Sequence, residues 1–238
     1  MLSGFTELIS ALIFPLECES CGSALPARPP VGICRKCYSE IRILGAPHCP
    51  GCGRTLTGGS AKCGSCLGQN FHFDRAFACT RYDGKIKELL HAYKFGGRKY
   101  LKNLFAKIIF QFMGDHLSAD RFDAVAAVPL SPARKRERGF NQSELISKEV
   151  AKKTGAAHVS RALIRIKSAA PQSLLSKNER RANVRGCFLA KERGPFQAKR
   201  VLLVDDILTT GNTASECART LKKAGAASVT VLACARGD

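Results

Sequence analysis

The segment Val201 to Thr213, VLLVDDILTTGNT, constrains this chain more than any other, because it dictates a strand, a tight turn and a helix in that order. Val201, Leu202, Leu203 and Val204 form the unbroken apolar run that a strand covered on both faces of a parallel sheet requires. Asp205 and Asp206 follow at once, which places two carboxylates at the strand's carboxyl end. From Asn212 or Thr213 the spacing turns helical, with Ala214, Cys217, Ala218 and Leu221 three or four apart and Gly225 positioned to stop the helix. Such a turn can cradle a phosphate. The hydroxyls of Thr209, Thr210 and Thr213, the turn amides and the positive end of the helix dipole converge there, and Gly211 permits close backbone approach. Adjacent acids suit vicinal hydroxyls or a phosphate-bound divalent cation.

A second constraint lies at the opposite end. Eight of the twelve cysteines fall into four Cys-x-x-Cys pairs, Cys18/Cys21, Cys34/Cys37, Cys49/Cys52 and Cys63/Cys66. Each pair can grip a tetrahedral metal from a tight knuckle, so the pattern predicts two structural four-cysteine zinc sites. Sequential pairing needs only short ribbon loops, and an interleaved cross-brace uses the same ligands. Zinc binding of roughly 10 to 16 kcal/mol per site would fold a segment too small and too rich in Gly and Pro for a core of its own. A disulfide framework fits less well without an export signal. His48, beside Cys49, reads as a knuckle neighbour and not as a ligand. Cys79, Cys187, Cys217 and Cys234 have no paired spacing, and buried packing is expected for Cys217 and Cys234.

The chain's 238 residues suit two units. The expected division is 1–70, an amino-terminal helix and double zinc ribbon, and 71–238, an α/β unit, with the boundary near Gly68 to Asp74. The opening MLSGFTELISALIFPLE has no basic leader, carries Glu7 and is too short to span a bilayer, so a docking helix ended by Pro15 and a cytoplasmic protein are expected. Beyond the cysteines, strand and helix patterns alternate. Strands are predicted over Arg75 to Tyr82 and Phe122 to Val128. Helices are predicted over Lys85 to Phe95, with Ile86, Leu89, Leu90 and Tyr93 inward, over Lys99 to Met113, with Lys102 and Lys107 pointing away, and over Ser143 to Lys153. Ligands of open α/β sheets sit beyond strand carboxyl ends, so the loop from Val128 to Pro132 and the Asp205/Asp206 turn are expected to face one crevice. No Gly-x-x-x-x-Gly-Lys-Ser/Thr run exists to make this a P-loop protein.

The four apolar residues, two acids, apolar pair and Thr-Thr-Gly-Asn-Thr resemble the ribose-phosphate signature of type I phosphoribosyltransferases. The resemblance implies that Asp205 and Asp206 hold the ribose 2′ and 3′ hydroxyls of phosphoribosyl pyrophosphate (PRPP) as the catalytic pair. It implies that Thr209, Thr210, Gly211, Asn212 and Thr213 hold the 5′-phosphate. Arg138-Gly139-Phe140-Asn141-Gln142, followed by Gln172, Arg180, Asn183, Val184 and Phe188, is similar to the ComF family of competence protein F and the related GntX proteins. That family joins a double zinc ribbon to a phosphoribosyltransferase domain, a mostly parallel sheet flanked by helices. The resemblance implies a pyrophosphate loop over 129–134 that contributes Pro129, Leu130, Ser131 and Arg134, and a flap from Ala170 to Arg185. Arg134, Arg138, Arg180 and Arg181 become candidate phosphate clamps.

The implied chemistry is transfer of a phosphoribosyl group at C1 with loss of pyrophosphate, Mg²⁺ neutralising the leaving group. Thr209 stands where purine-base enzymes carry an Asp, which removes an acid or base for a purine ring. An orotate-like or amine acceptor stays open, as does a PRPP-binding sensor without turnover. Net charge adds a second theme, since 38 Lys and Arg against 19 Asp and Glu give +19. Such a field steers polyanions, and the basic clusters Lys94 to Lys102, Arg134 to Arg138 and Arg180 to Arg185 lie near Tyr93, Phe95, Tyr100 and Phe140, an interleaving suited to single strands. Tyr93 also reads as a core residue. The family resemblance implies action on single-stranded DNA in DNA uptake and natural transformation, beside a translocation or helicase protein. A DNA-binding scaffold is the alternative.

Overall fold

The computed structural model describes residues 17–25, 31–56, 59–167 and 184–237. The expected amino-terminal docking helix and most of the expected flap, including Gln172, Arg180, Arg181 and Asn183, lie outside the described residues.

A five-stranded, wholly parallel sheet carries the fold, in the order β1 (Arg75–Arg81), β7 (Ser228–Arg236), β6 (Arg200–Leu208), β2 (Ala124–Ala127), β3 (Ala157–His158). Its centre is apolar on both faces because successive residues of β6 point to opposite sides. Leu202 and Val204 join one core with α1 (Arg35–Ser39), α2 (Gly84–Phe95), α3 (Lys102–His116) and α5 (Gln142–Thr154). Val201 and Leu203 join another with α6 (Asn212–Lys223) and the antiparallel hairpin of β4 (Leu163–Arg165) and β5 (Phe188–Ala190). Helices thus cover both faces, as a parallel sheet needs.

The predicted inward set of α2, namely Ile86, Leu89, Leu90 and Tyr93, is buried. Cys79, Cys187, Cys217 and Cys234 are buried too. The segment expected as one helix from Lys99 begins as a 3₁₀ turn over Lys99–Leu101 before α3. Lys102 and Lys107 do not simply face water. Lys102 pairs with Glu149 of α5 at 2.8 Å, and Lys107 lies 4.2 Å from the Tyr38 ring centroid. Long aliphatic stems let both lysines cover apolar surface and still reach a partner.

One expectation is corrected in β6. The strand does not stop at Val204 but runs to Leu208, so the two aspartates lie within it. Its neighbours explain this. Pairing with β2 ends at Ala127 opposite Val204, whereas β7 continues beside β6 as far as Leu208 opposite Arg236. The acids therefore stand where β6 loses one neighbour and opens toward solvent. β2, by contrast, is shorter than Phe122 to Val128, although the Val128 N–H still donates to Val204 O at 2.9 Å.

β1 is an edge strand, and a bare edge invites aggregation. Here the cysteine-rich segment covers it: Leu44 N–H donates to Cys79 O at 2.8 Å, Ala76 N–H donates to Pro50 O at 3.0 Å, and Gly53 bridges to Phe77. At Gly53 φ is +70°, and an added Cβ would lie 2.6 Å from Ala78 N, so only glycine permits this approach.

Candidate active site and metal centres

The eight knuckle cysteines gather in chain order. Cys18, Cys21, Cys34 and Cys37 form one cluster and Cys49, Cys52, Cys63 and Cys66 the other, with all sulfurs of a cluster within 4.8 Å of one another. Sequential pairing is therefore the arrangement adopted, and the cross-brace is not. Four zinc–sulfur bonds of about 2.3 Å give tetrahedral edges of about 3.8 Å. Cys21 and Cys34 sulfurs stand 3.8 Å apart and Cys52 and Cys63 sulfurs 3.6 Å apart, so the donor sets fit zinc. Backbone N–H groups point at the thiolates, from Cys34 to Cys18 Sγ at 3.3 Å and from Cys63 to Cys49 Sγ at 3.4 Å. The Ser23 hydroxyl draws the Cys21 thiol down to about 6, helped by the Ser23 backbone. In the first cluster Lys85 Nζ, from α2, adds a contact of 3.3 Å to Cys37 Sγ. His48 is no ligand. Its ring packs among Phe77, Phe112 and His116.

At the carboxyl end of the sheet, a cleft of about 280 Å³ is lined by four parts of the chain far apart in sequence, Lys94, residues 128–143, Arg165 and residues 205–214. Val128, Pro129, Leu130, Ser131 and Arg134 come from the loop after β2 and the start of α4 (Pro132–Arg138). Ser131 caps that helix by accepting from Arg134 N–H at 3.3 Å, and Pro132 occupies its first turn, which fixes the loop's exit. Asp205, Asp206, Thr209, Thr210, Gly211 and Thr213 come from the end of β6 and the head of α6. Gly211 is the N-cap, at φ +77°, and its missing side chain leaves the helix head uncapped from that position. Asn212 does not line this cleft. Its N–H turns to Thr210 Oγ1 at 3.4 Å, and its side of the helix borders a neighbouring groove.

The two aspartates differ. Asp205 Oδ1 accepts from Ser143 Oγ at 3.0 Å and from the Asp206 N–H at 2.9 Å. Burial, then the charge of Asp206, pushes the Asp205 carboxyl up to about 8. Asp206 reaches the other way, its Oδ2 lying 2.9 Å from Lys94 Nζ in a pair whose side chains are both about seven-eighths buried. Arg138 donates to Gln142 Oε1 at 3.2 Å and stacks on the Phe95 ring, 4.7 Å from its centroid. Burial lowers both Arg138 and Arg165 from the ordinary guanidinium value, so two partly desolvated cations face the cleft. With Arg134 and Lys94 they make it a trap for anions.

Sequence reasoning missed Lys94, Ser143 and Arg165 as cleft residues. Lys94 stood only in a basic cluster, at the last turn of a helix whose direction the sequence does not give. Ser143 follows the Asn141 N-cap, which holds the β2 loop through Asn141 Nδ2 to Val128 O at 3.1 Å. Arg165 belongs to a three-residue strand outside the main sheet. Arg138 and Arg134, both named as candidate clamps, line the cleft. Of the four aromatics proposed as stacking surfaces, Tyr93 and Phe140 are buried, and Phe95 and Tyr100 are exposed. The Tyr93 hydroxyl donates to Gln142 O at 3.0 Å, so the core reading holds for it.

Both halves of the chain match known proteins. A double zinc ribbon domain matches residues 9–67 and a phosphoribosyl transferase domain matches residues 137–237. The chain is 29% identical to competence protein F of Haemophilus influenzae, over 86% of this chain and 90% of that protein. It is 32% identical to the DNA utilization protein YhgH of Salmonella typhimurium, over 84% of this chain and 88% of that protein. It is 28% identical to competence protein ComFC of Streptococcus pneumoniae, over 83% of this chain and 84% of that protein.

Proposed function

The chain belongs to the family of competence protein F and the DNA utilization protein YhgH, which joins a double zinc ribbon to a phosphoribosyltransferase domain, and from that premise we propose that its cleft binds PRPP. One observation carries this reading: the turn 209–213, the acid pair 205–206 and the loop 129–134 converge on one cation-rich cleft. The 5′-phosphate lies against Thr209, Thr210, Gly211 and Thr213 at the head of α6, where amides and dipole favour an anion. Asp205 and Asp206 accept from the ribose hydroxyls. Ser131 and Arg134 hold the pyrophosphate, and Arg138 supplies further positive charge along the wall. The two carboxylates and the substrate's phosphates are the oxygen donors Mg²⁺ prefers, and the ion when bound would neutralise the leaving group.

In the transfer reaction the C1–O bond to pyrophosphate breaks, a bond from the acceptor to C1 forms, and the acceptor's proton leaves. The protein's part is position and charge, because Thr209 offers no base at the place where purine-specific enzymes have an acid. Pyrophosphate release measured with PRPP, Mg²⁺ and candidate acceptors tests this. Release that depends on an added acceptor establishes transfer. Saturable binding without release establishes a sensor, and no binding of PRPP refutes the reading altogether.

Single-stranded DNA is the second ligand, favoured by a specific patch. Phe95 and Tyr100 are the exposed Phe and Tyr rings among the described residues, and both lie in the basic stretch Lys94 to Lys102, of which Lys94 lines the cleft. Rings flanked by cations suit stacked bases and tracked phosphates. The +19 charge supports the same reading, as do relatives named for competence and DNA utilization, and DNA uptake in the cytoplasm is the setting proposed. Among the described residues no helix is long and apolar enough to cross a membrane.

A further inference from the structure

Between the second metal centre and the phosphate turn stands one aromatic ring. A Cβ added at Gly51, inside the Cys49/Cys52 knuckle, would lie 3.0 Å from Phe71 Cε2 and 3.1 Å from Cys66 Sγ. A Cβ added at Gly211, the N-cap of α6, would lie 3.1 Å from Phe71 Cε1 and 3.6 Å from Gly51 O. The same ring is thus wedged between a knuckle glycine on one edge and the phosphate-turn glycine on the other. Neither glycine has a side chain, so ring and backbone meet directly, and a shift of one is passed to the other. Phe71 packs on the cluster of Cys49, Cys52, Leu56 and Cys66, and stacks on Phe73 with ring centroids 4.9 Å apart. The next residue fixes the register, since the His72 N–H donates to Ser215 Oγ at 3.0 Å in the first turn of α6.

The first metal centre has no such route to the phosphate turn among the described contacts, although α2 links it to the acid pair, from Lys85 beside Cys37 Sγ to Lys94 beside Asp206. Its neighbours are Lys85 of α2 and Tyr100, which abuts Gly32 and whose hydroxyl donates to Glu19. The two zinc modules are therefore unequal partners of the cleft.

We propose that the second zinc module, acting through Phe71 as a positioning residue, holds the phosphate turn in its binding geometry, so that phosphate recognition depends on the metal at Cys49, Cys52, Cys63 and Cys66 and not on the metal at the first cluster. The proposal rests on the reading of 209–213 as the 5′-phosphate site. It gives the zinc ribbon a part in substrate binding, and it makes that binding sensitive to thiol oxidation or zinc loss at one of two chemically similar centres.

The test compares two probes by calorimetry on the full chain: ribose 5-phosphate, which reports on the turn, and magnesium pyrophosphate, which reports on the Ser131/Arg134 loop. Phe71→Ala retains all eight cysteines, so it should keep two zinc ions per chain. It should weaken ribose 5-phosphate between about 10-fold and about 100-fold, the scale of a small misplacement of a binding group, and leave pyrophosphate within about twofold. Cys63→Ser should lose one zinc and the same ligand, whereas Cys21→Ser should lose one zinc and keep ribose 5-phosphate. Unchanged ribose 5-phosphate affinity in Phe71→Ala overturns the proposal, as does parallel loss of both probes or equal loss in Cys21→Ser and Cys63→Ser. If the wild type itself binds neither probe, the underlying reading of the cleft fails instead.

Discussion

Replacing Asp205 with Asn should stabilise the unliganded protein while destroying its site. The carboxyl is buried beside Asp206, which moves its ionisation from the ordinary 3.8 to about 8. Because the folded value lies above the unfolded one, the folded protein holds this proton more tightly. The associated stability is fully present below about pH 4, falls as pH rises, and is lost by about pH 8. At about 1.4 kcal/mol for each tenfold change in proton affinity, the ceiling is about 6 kcal/mol. Water entry and local relaxation in an open cleft reduce the expected effect to about 1 to 3 kcal/mol. An Asn at this position keeps an acceptor for the Ser143 hydroxyl and the Asp206 N–H and carries no charge. Thermal denaturation of wild type and Asp205→Asn from pH 5 to pH 8 should therefore show a small gain in Tm at the acid end. The gain should grow to between about 2 and 12 °C at pH 8, at about 2 to 4 °C per kcal/mol for a chain of this size. The variant should lose the rise in Tm that PRPP gives the wild type. A difference independent of pH, or an Asn variant less stable at pH 8, would refute the reasoning.

Lys94→Met should act in the opposite direction, since it leaves Asp206 uncompensated beside a second acid. A loss of about 3 kcal/mol in chemical denaturation is expected, and a loss under about 0.5 kcal/mol would show that Lys94 is not the partner the geometry makes it. Stripping zinc should release two equivalents per chain to a colorimetric chelator and lower the unfolding midpoint of the sheet as well as the ribbon, because residues 44–53 cover the edge of β1; a chain that keeps its midpoint after losing both ions would contradict this. Phe95→Ala with Tyr100→Ala should weaken single-stranded DNA by about 1 to 3 kcal/mol per ring in fluorescence anisotropy and lower Tm only modestly, since Phe95 carries the Arg138 guanidinium and Tyr100 bonds Glu19 although both rings are largely exposed; equal affinity at low salt would remove the patch from the DNA reading.

What the sequence made legible was local. The apolar run of β6, the Thr-rich turn and the helix behind it are consecutive residues, so periodicity and turn chemistry suffice to read them. The cysteine pairs were equally plain, but their sequential assignment was not, because both pairings satisfy the same spacing. The length of β6 was hidden because it is set by where β2 and β7 stop, a property of strands distant in sequence. Lys94 was hidden for the same reason: its pair with Asp206 joins the end of α2 to the carboxyl end of β6 across 112 positions, and no spacing rule connects them. Phe71 looked like linker, and only packing reveals it between Gly51 and Gly211. Phe140 carried an aromatic-and-basic signature that pointed to stacking, yet burial against Tyr93 overrides that signal.

The central claim is that a phosphorylated ribose occupies the turn at 209–213 with its ring hydroxyls on the acid pair. Isothermal titration of the full chain with PRPP and Mg²⁺ tests this most directly. The account predicts saturation at one site per chain, abolished when Asp205 and Asp206 are both replaced by Asn. Absence of binding in the wild type, or binding that survives the double replacement unchanged, would contradict it.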